Sequence, residues 1–225
     1  TAAERIDAAI AERLQSSPDV HVALAGGRTP RRTYEFLAEM RTDWSGVHLW
    51  FGDERVVPLD STDANARMVR DVLVGPAHIP PGQVHTLSTE LGAHAACDAY
   101  AAELRGRLID GANGIPRLDV AVLGLGEDAH TASLFPESSA LRVSDAICVV
   151  VESAPKPPAT RVSMTLPMLN AARVRIVLAT GDEKAAAVAA ALGHRDPRAP
   201  ASLLTRDATT WILDAAAAQL IAPDR

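Results

Sequence analysis

The chain has 225 residues and a formal net charge of −6, with 48% hydrophobic residues but only 4% aromatic ones. This length and apolar content fit one compact α/β domain spanning 1–225, with a core packed largely by small aliphatic side chains. An acidic chain without a basic stripe excludes sequence-independent nucleic-acid binding, and no apolar run approaches the ~20 residues a membrane span requires.

Apolar residues at helical spacing (Ile6, Ile10, Leu14) predict a helix over 1–17. The run VHVALAGG, 20–27, reads as a buried strand ending in glycines. Thr29 as a cap and Pro30 at the first helical position then open a helix through Met40. VHLWFGD, 47–53, is a second strand, followed by a loop with Pro58 and Asp60, a helix around 62–74 and a Pro/Gly-rich stretch at 75–83. The Ala-rich segment 91–109 predicts a long helix carrying Cys97. LDVAVLGLG, 118–126, is a third strand, and ICVVVES, 146–152, a fourth that carries Cys148. After the proline-rich loop APKPPAT, the segment RVSMTLPML begins as a strand and ends as a helix. VRIVLATG, 174–181, is the fifth strand, DEKAAAVAAAL its following helix, and WILDAAAAQL a final short strand entering a helix.

Near-continuous apolar strands alternating with helices predict a mostly parallel sheet covered on both faces. Ligands of such sheets sit at the carboxyl ends of the strands, and that is where the polar motifs of this chain fall. The two cysteines lack metal-ligand or CxxC spacing and read as core thiols, as suits a reducing compartment. With no secretory apolar region at the start, the expected location is cytoplasmic.

Four groups of residues carry chemistry. In the first, Gly26 and Gly27 end a strand, and Arg28, Thr29 and Pro30 enter a helix. Glycines let backbone N–H groups approach an anion, and a helix N-terminus adds partial positive charge, so this is a candidate phosphate cradle; an ordinary strand-to-helix turn has the same look. In the second, Asp53, Glu54 and Arg55 end a buried strand, with Asn65 downstream. An arginine there can bind a carboxylate or stabilise an oxyanion, whereas the bland alternative is a solvated loop with internal ion pairs.

The third group, GLGEDAHTASLFP over 124–136, follows a strong strand. His130 can take a proton from water while Asp128 orients its ring; otherwise it is a bystander in a surface turn. Gly124, Gly126 and Ala129 imitate a dinucleotide fingerprint, but Glu127 and Asp128 would set two negative charges against a pyrophosphate, which argues against NAD(P). The fourth group is Lys156, Arg161 and Lys184, cations after strand ends that fit either an anionic ligand or a solvated surface. There is no G-x-S-x-G elbow, no P-loop and no H-E-x-x-H, and the seven histidines show no metal-ligand grouping. A mechanism by direct water attack, with no metal and no cofactor, is the simplest remaining expectation.

AGGRTP, WFGDERVVP with Asn65, LGLGEDAHTASLFP, and RVSMTLPMLN followed by GDEK together resemble the 6-phosphogluconolactonases of the glucosamine-6-phosphate isomerase/6-phosphogluconolactonase family. The blocks run in the family's order from about residue 20 to 190, and the LFP ending separates them from the related deaminases, which usually continue with an Asn-Glu-Pro type sequence. Two positions depart from the pattern: Arg28 stands where the family usually has Ser, and Ala129 where it usually has Gly. A turn that needs positive φ at 129 strains alanine more than glycine.

The resemblance implies a three-layer αβα fold like that of glucosamine-6-phosphate deaminase and ribose-5-phosphate isomerase. It implies hydrolysis of 6-phospho-D-glucono-1,5-lactone, a phosphorylated sugar lactone, in the oxidative pentose phosphate pathway, with no cofactor. On that basis Gly26, Gly27 and Thr29 cradle the phosphate, with Arg28 beside them and Arg161 and Lys184 as countercharges. Lys156 closes over the substrate, and Asn65 and Gly126 contribute to binding. His130 activates water, Asp128 holds it, Asp53 positions water or a sugar hydroxyl, and Arg55 stabilises the oxyanion. A monomer or weak homo-oligomer is expected. The alternatives are a glucosamine-6-phosphate deaminase-like enzyme and a non-catalytic sugar-phosphate sensor.

Overall fold

The computed structural model describes residues 1–109, 111 and 114–221. In chain order the main elements are α1 (Ala2–Leu14), β1 (Val20–Leu24), α2 (Arg28–Met40), β2 (Val47–Phe51), β3 (Asp53–Arg55), α3 (Asn65–Val69), α4 (Ala93–Arg107), β4 (Val120–Gly124), β5 (Cys148–Val151), β6 (Arg161–Met164), α5 (Leu166–Ala171), β7 (Val174–Ala179), α6 (Ala185–Leu192), β8 (Thr209–Leu213) and α7 (Ala215–Ala218). Five strands make a wholly parallel sheet in the order β2-β1-β4-β7-β8. Its central strands, β1, β4 and β7, are apolar and buried at nearly every position because helices cover the sheet there, whereas the edge strand β8 is half-buried throughout.

The parallel sheet does not hold every predicted strand. β5 joins β6 and β3 in a separate three-stranded antiparallel sheet, order β3-β6-β5. A run such as Cys148-Val149-Val150-Val151 has the composition of a parallel core strand, and composition carries no information about its partner. The predicted strand 47–53 is also divided. Gly52 donates its N–H to Leu24 O at 2.9 Å in the parallel sheet, while its carbonyl accepts Met164 N–H at 2.8 Å in the antiparallel one. One residue thus hands the chain from sheet to sheet, and β3 begins immediately after it.

The chain's two tyrosines close the carboxyl ends of neighbouring strands. Tyr34 of α2 exchanges hydrogen bonds with Ala25, accepting its N–H at 2.9 Å and donating to its carbonyl at 3.0 Å. Tyr100 of α4 does the same to Phe51, at 2.7 and 3.1 Å. Both side chains are buried, and burial pushes both phenols well above their ordinary range, so they remain hydroxyls able to donate and accept. These pairs satisfy backbone groups at the points where two strands leave the sheet toward the polar motifs.

Three expected helix details change. α2 starts at Arg28, with Gly27 rather than Thr29 at the cap. The turn out of β1 requires φ of +110° at Gly27, which glycine tolerates and threonine does not, so the helix begins before Thr29 can cap it. Pro30 consequently lies inside the first turn. The helix expected over 62–74 is a short α3 followed by a π-helical turn, Arg70–Val74. Lys184 ends a 3₁₀ turn, Asp182–Lys184, directly before α6.

Candidate active site

The first part of the site is a backbone cradle. Gly26, Gly27 and the start of α2 line a cavity of about 720 Å³ together with Gly124, Gly181 and Lys184. The Thr29 hydroxyl meets that of Thr180 at 2.7 Å, which ties the α2 start to the end of β7. Arg28 and Arg32 also line this cavity. The Arg28 side chain is 93% exposed and its guanidinium reaches Glu183 at 3.5 Å, and backbone N–H groups, Lys184 and these two arginines together give the cavity its positive character.

The second part is the loop after β4. It closes on itself: Gly126 N–H donates to His130 O at 2.9 Å, and the Thr131 hydroxyl donates to Gly124 O at 3.0 Å. Asp128 Oδ1 accepts the His130 backbone N–H at 3.2 Å and lies 2.5 Å from His130 Nδ1. Burial works against ionisation of Asp128, but its hydrogen bonds with His130 outweigh that and hold the carboxyl below its usual range. An ionised Asp128 fixes the proton of the imidazole on Nδ1 and leaves Nε2 as the basic nitrogen. The ring packs against Gly126, where a Cβ would stand 2.0 Å from Nδ1, and meets the Phe135 ring at 4.6 Å between centroids. Ala129 adopts φ of +61°, so the turn does demand the left-handed region there. Its N–H donates to Gly126 O at 3.1 Å and its carbonyl accepts Ala201 N–H at 2.9 Å, which holds the strained residue in place.

The third part is built on β3 and β6. Their register sets Asp53 against Ser163 and Arg55 against Arg161, so both pairs share one face of the small sheet. Buried Asp53 accepts the Ser133 hydroxyl at 2.6 Å, a link from the histidine loop to β3. Ser133 N–H in turn donates to Ser163 Oγ at 3.2 Å. Arg161 is buried and gives its hydrogen bonds to the carbonyls of Pro158 and Lys156, at 3.1 and 2.9 Å. Burial, and then the Arg55 charge, push its pKa downward. Its guanidinium lies 5.6 Å from the Phe135 ring, which connects it to His130 through one aromatic side chain. Arg55 donates to Asp63 O at 2.5 Å and leaves its buried Nε without a partner among the described residues.

Asn65 joins this part to the cradle. Its amide donates to Asp53 O at 2.9 Å, and a Cβ on Gly26 would lie 1.9 Å from its Oδ1. Lys156 is largely exposed on the proline loop and reaches Glu127 of the histidine loop at 3.5 Å. Thus Gly26, Gly27, Thr29 and Lys184 share a cavity, Asp128, His130 and Gly126 form a second cluster, and Asp53, Arg55, Asn65 and Arg161 a third linked to both. Sequence reasoning assigned no role to Glu54, Ser133, Ser163 or Phe135. Ser133 and Phe135 lie in the GLGEDAHTASLFP block, but nothing in its spacing names Asp53, 80 residues away, as the partner of Ser133.

The family model for glucosamine-6-phosphate isomerases/6-phosphogluconolactonase matches residues 1–212. The chain belongs to this family. A 6-phosphogluconolactonase of Streptomyces coelicolor is 37% identical over 229 residues, covering 96% of this chain and 88% of the relative. A solved 6-phosphogluconolactonase from Thermotoga maritima has 32% identity and a TM-score of 0.84, covering 94% of this chain and 92% of that one. A monomeric glucosamine-6-phosphate deaminase, at 21% identity and a TM-score of 0.77 over 94% of each chain, shares the fold. The family's αβα architecture is the one described above. Within that architecture Ala129 holds a left-handed conformation and Arg28 lines the cavity beside the backbone cradle.

Proposed function

We propose that this chain is a 6-phosphogluconolactonase, hydrolysing 6-phospho-D-glucono-1,5-lactone to 6-phospho-D-gluconate in the pentose phosphate pathway. Its membership of the family and its likeness to 6-phosphogluconolactonases over nearly the whole chain support the activity. The observation that carries the mechanism is the 2.5 Å contact between His130 Nδ1 and Asp128, which directs the basic Nε2 outward.

In this reading the phosphate rests on the N–H groups of Gly26, Gly27 and Thr29, with Lys184 as countercharge. His130 Nε2 takes a proton from water as the water oxygen attacks the lactone carbonyl. Asp128 stabilises the imidazolium that forms. Arg55 and Arg161 offer positive charge to the oxyanion and to the substrate's own anionic group, while Asp53 positions a sugar hydroxyl or the water. The tetrahedral intermediate collapses by breaking the bond from the carbonyl carbon to the ring oxygen. That oxygen takes the proton from His130 and leaves as an alcohol, and the new carboxyl group ionises. Lys156, on its proline-stiffened loop, closes over the bound lactone.

General base catalysis contributes about 10²–10⁴-fold and an oxyanion donor about 10²–10³-fold. An activated lactone therefore needs no covalent intermediate. The test generates the lactone with glucose-6-phosphate dehydrogenase and follows its loss against the spontaneous rate. Accelerated loss supports the reading. No acceleration, with ammonia released from glucosamine 6-phosphate instead, moves the chain to the deaminases; binding without turnover of either makes it a sensor.

A further inference from the structure

Glu54 has no part in the mechanism above, yet it is buried to 1% exposure between two residues that do. Side chains alternate along a strand, so Glu54 points to the opposite face of β3 from Asp53 and Arg55. There its Oε1 accepts the N–H groups of Arg55 and Asn65, at 2.7 and 2.8 Å, and its Oε2 accepts Ala66 N–H at 2.7 Å. Asn65 and Ala66 are the first residues of α3, whose cap position, Ala64, has no side-chain oxygen to offer. Glu54 therefore reaches across from β3 to supply the acceptors that a capping side chain would otherwise provide.

This clamp acts on the Asn65 side chain as well as on the helix. With its backbone N–H held by Glu54 and its amide donating to Asp53 O, Asn65 is fixed at both ends. Its Oδ1 fills the space beneath Gly26 where a Cβ would otherwise sit. The height of the Gly26–Gly27 turn, and with it the direction of the N–H groups at the start of α2, rests on that amide.

We propose that Glu54 is a positioning residue for the phosphate end of the substrate, acting through Asn65 on the Gly26–Gly27 cradle. The proposal rests on the cradle being the phosphate site of the function proposed above. Three N–H donors converge on two carboxylate oxygens, and the ionised carboxylate, an acceptor at both oxygens, satisfies all three. Glutamine has the same size but sets an NH₂ group against one of those donors.

Glu54→Gln is expected to raise KM for the phosphorylated lactone about tenfold, the effect of losing one such buried hydrogen bond, while kcat stays within about threefold. The Ki of inorganic phosphate as a competitive inhibitor should rise in parallel. Asn65→Ala should reproduce the KM effect, and in the double variant the two changes should fall well short of additive. A purely structural role predicts a different pattern: less active enzyme and a lower kcat, with KM and the phosphate Ki unchanged. That pattern overturns the proposal, as does an unchanged KM in Asn65→Ala, which also serves if Glu54→Gln fails to fold. If the wild type does not hydrolyse the phosphorylated lactone at all, it is the function proposed above that falls.

Discussion

Arg55 and Arg161 stand directly opposite one another on the β3–β6 ladder, and neither guanidinium meets a carboxylate among the described residues. Like charges in cross-strand register repel, so this arrangement costs stability until an anion lies between or above them. Binding of the product, 6-phosphogluconate, should therefore stabilise the protein. At a hundred times its Kd, a ligand specific to the native state adds about 2.7 kcal/mol, or roughly 5–10 °C in Tm for a chain of this size. Arg55→Gln should lose most of that shift and raise KM. A full Tm shift in this variant would remove Arg55 from the binding surface.

His130 and Asp128 make the second prediction, and Gly126 sharpens it. His130→Ala should lower kcat by about 10²–10⁴-fold with little change in KM. Gly126→Ala should have nearly the same effect without touching the histidine. The added Cβ would lie 2.0 Å from His130 Nδ1 and 2.6 Å from Asp128 Oδ1, so the imidazole must leave its position. Because Gly126 is not among the positive-φ glycines, alanine is tolerated by the backbone and the damage stays local. Wild-type kcat in Gly126→Ala would mean that the ring position seen here is not the one used in turnover.

Ala129 gives a third. Alanine in the left-handed region costs about 1–2 kcal/mol. Replacing it with glycine removes that cost, but adds unfolded-state entropy worth about 0.4–1 kcal/mol and deletes a buried methyl worth about 0.8 kcal/mol. Ala129→Gly should therefore leave Tm within roughly 3 °C of the parent and kcat unchanged. Ala129→Val combines a β-branched side chain with φ of +61° at a buried position and should lower both. Thermal melts with parallel kinetics separate the outcomes: a large gain in kcat for Ala129→Gly would show that the alanine misplaces His130.

Much of this was legible in the sequence because the informative residues are local. The apolar runs at β1, β2, β4 and β7 are too short for helices and end in glycine or polar residues, so both their type and the end that carries chemistry could be read directly. Asp128 and His130 are two residues apart, and that spacing alone brings them together. The antiparallel sheet was not legible, since Val149 and Val150 look the same whichever strand they pair with. Nor was the role of Glu54. An acid between Asp53 and Arg55 reads as a loop ion pair, and its real partners are backbone N–H groups, of the adjacent Arg55 and of residues 11 and 12 positions away, which leave no mark on residue type. Gly27 displaced Thr29 as the cap because φ at the turn, a property of the folded backbone, outranked a side-chain preference.

Acid acts on half-buried His21 and buried Glu54 with opposite sign, and this gives the last prediction. His21 is driven down from 6.5 to about 4 by burial and then by the neighbouring His48, against the opposing pull of Asp119 and Asp19. Its Nδ1 accepts the Trp50 indole N–H at 3.1 Å, a bond that requires the neutral ring. Between 6.5 and about 4 the unfolded chain binds a proton that the folded chain refuses, so this stability is complete above 6.5 and is lost as pH falls. Burial also lowers the pKa of His85, adding to the same trend. Glu54 does the reverse. Burial raises it from 4.5 to about 7 in spite of three N–H donors, so the folded chain takes up its proton first, giving up one of those N–H bonds as it loses the buried charge, and its contribution to stability grows as pH falls from about 7 to 4.5. In the wild type the two trends oppose each other between pH 6.5 and 4.5. Glu54→Gln removes one, and its Tm should fall more steeply on acidification than that of the parent. His21→Gln removes the other, and its Tm should fall less or rise over the same range. Melting curves of the three proteins from pH 5 to 8 decide the matter: parallel profiles would show that neither group changes protonation on unfolding in that window.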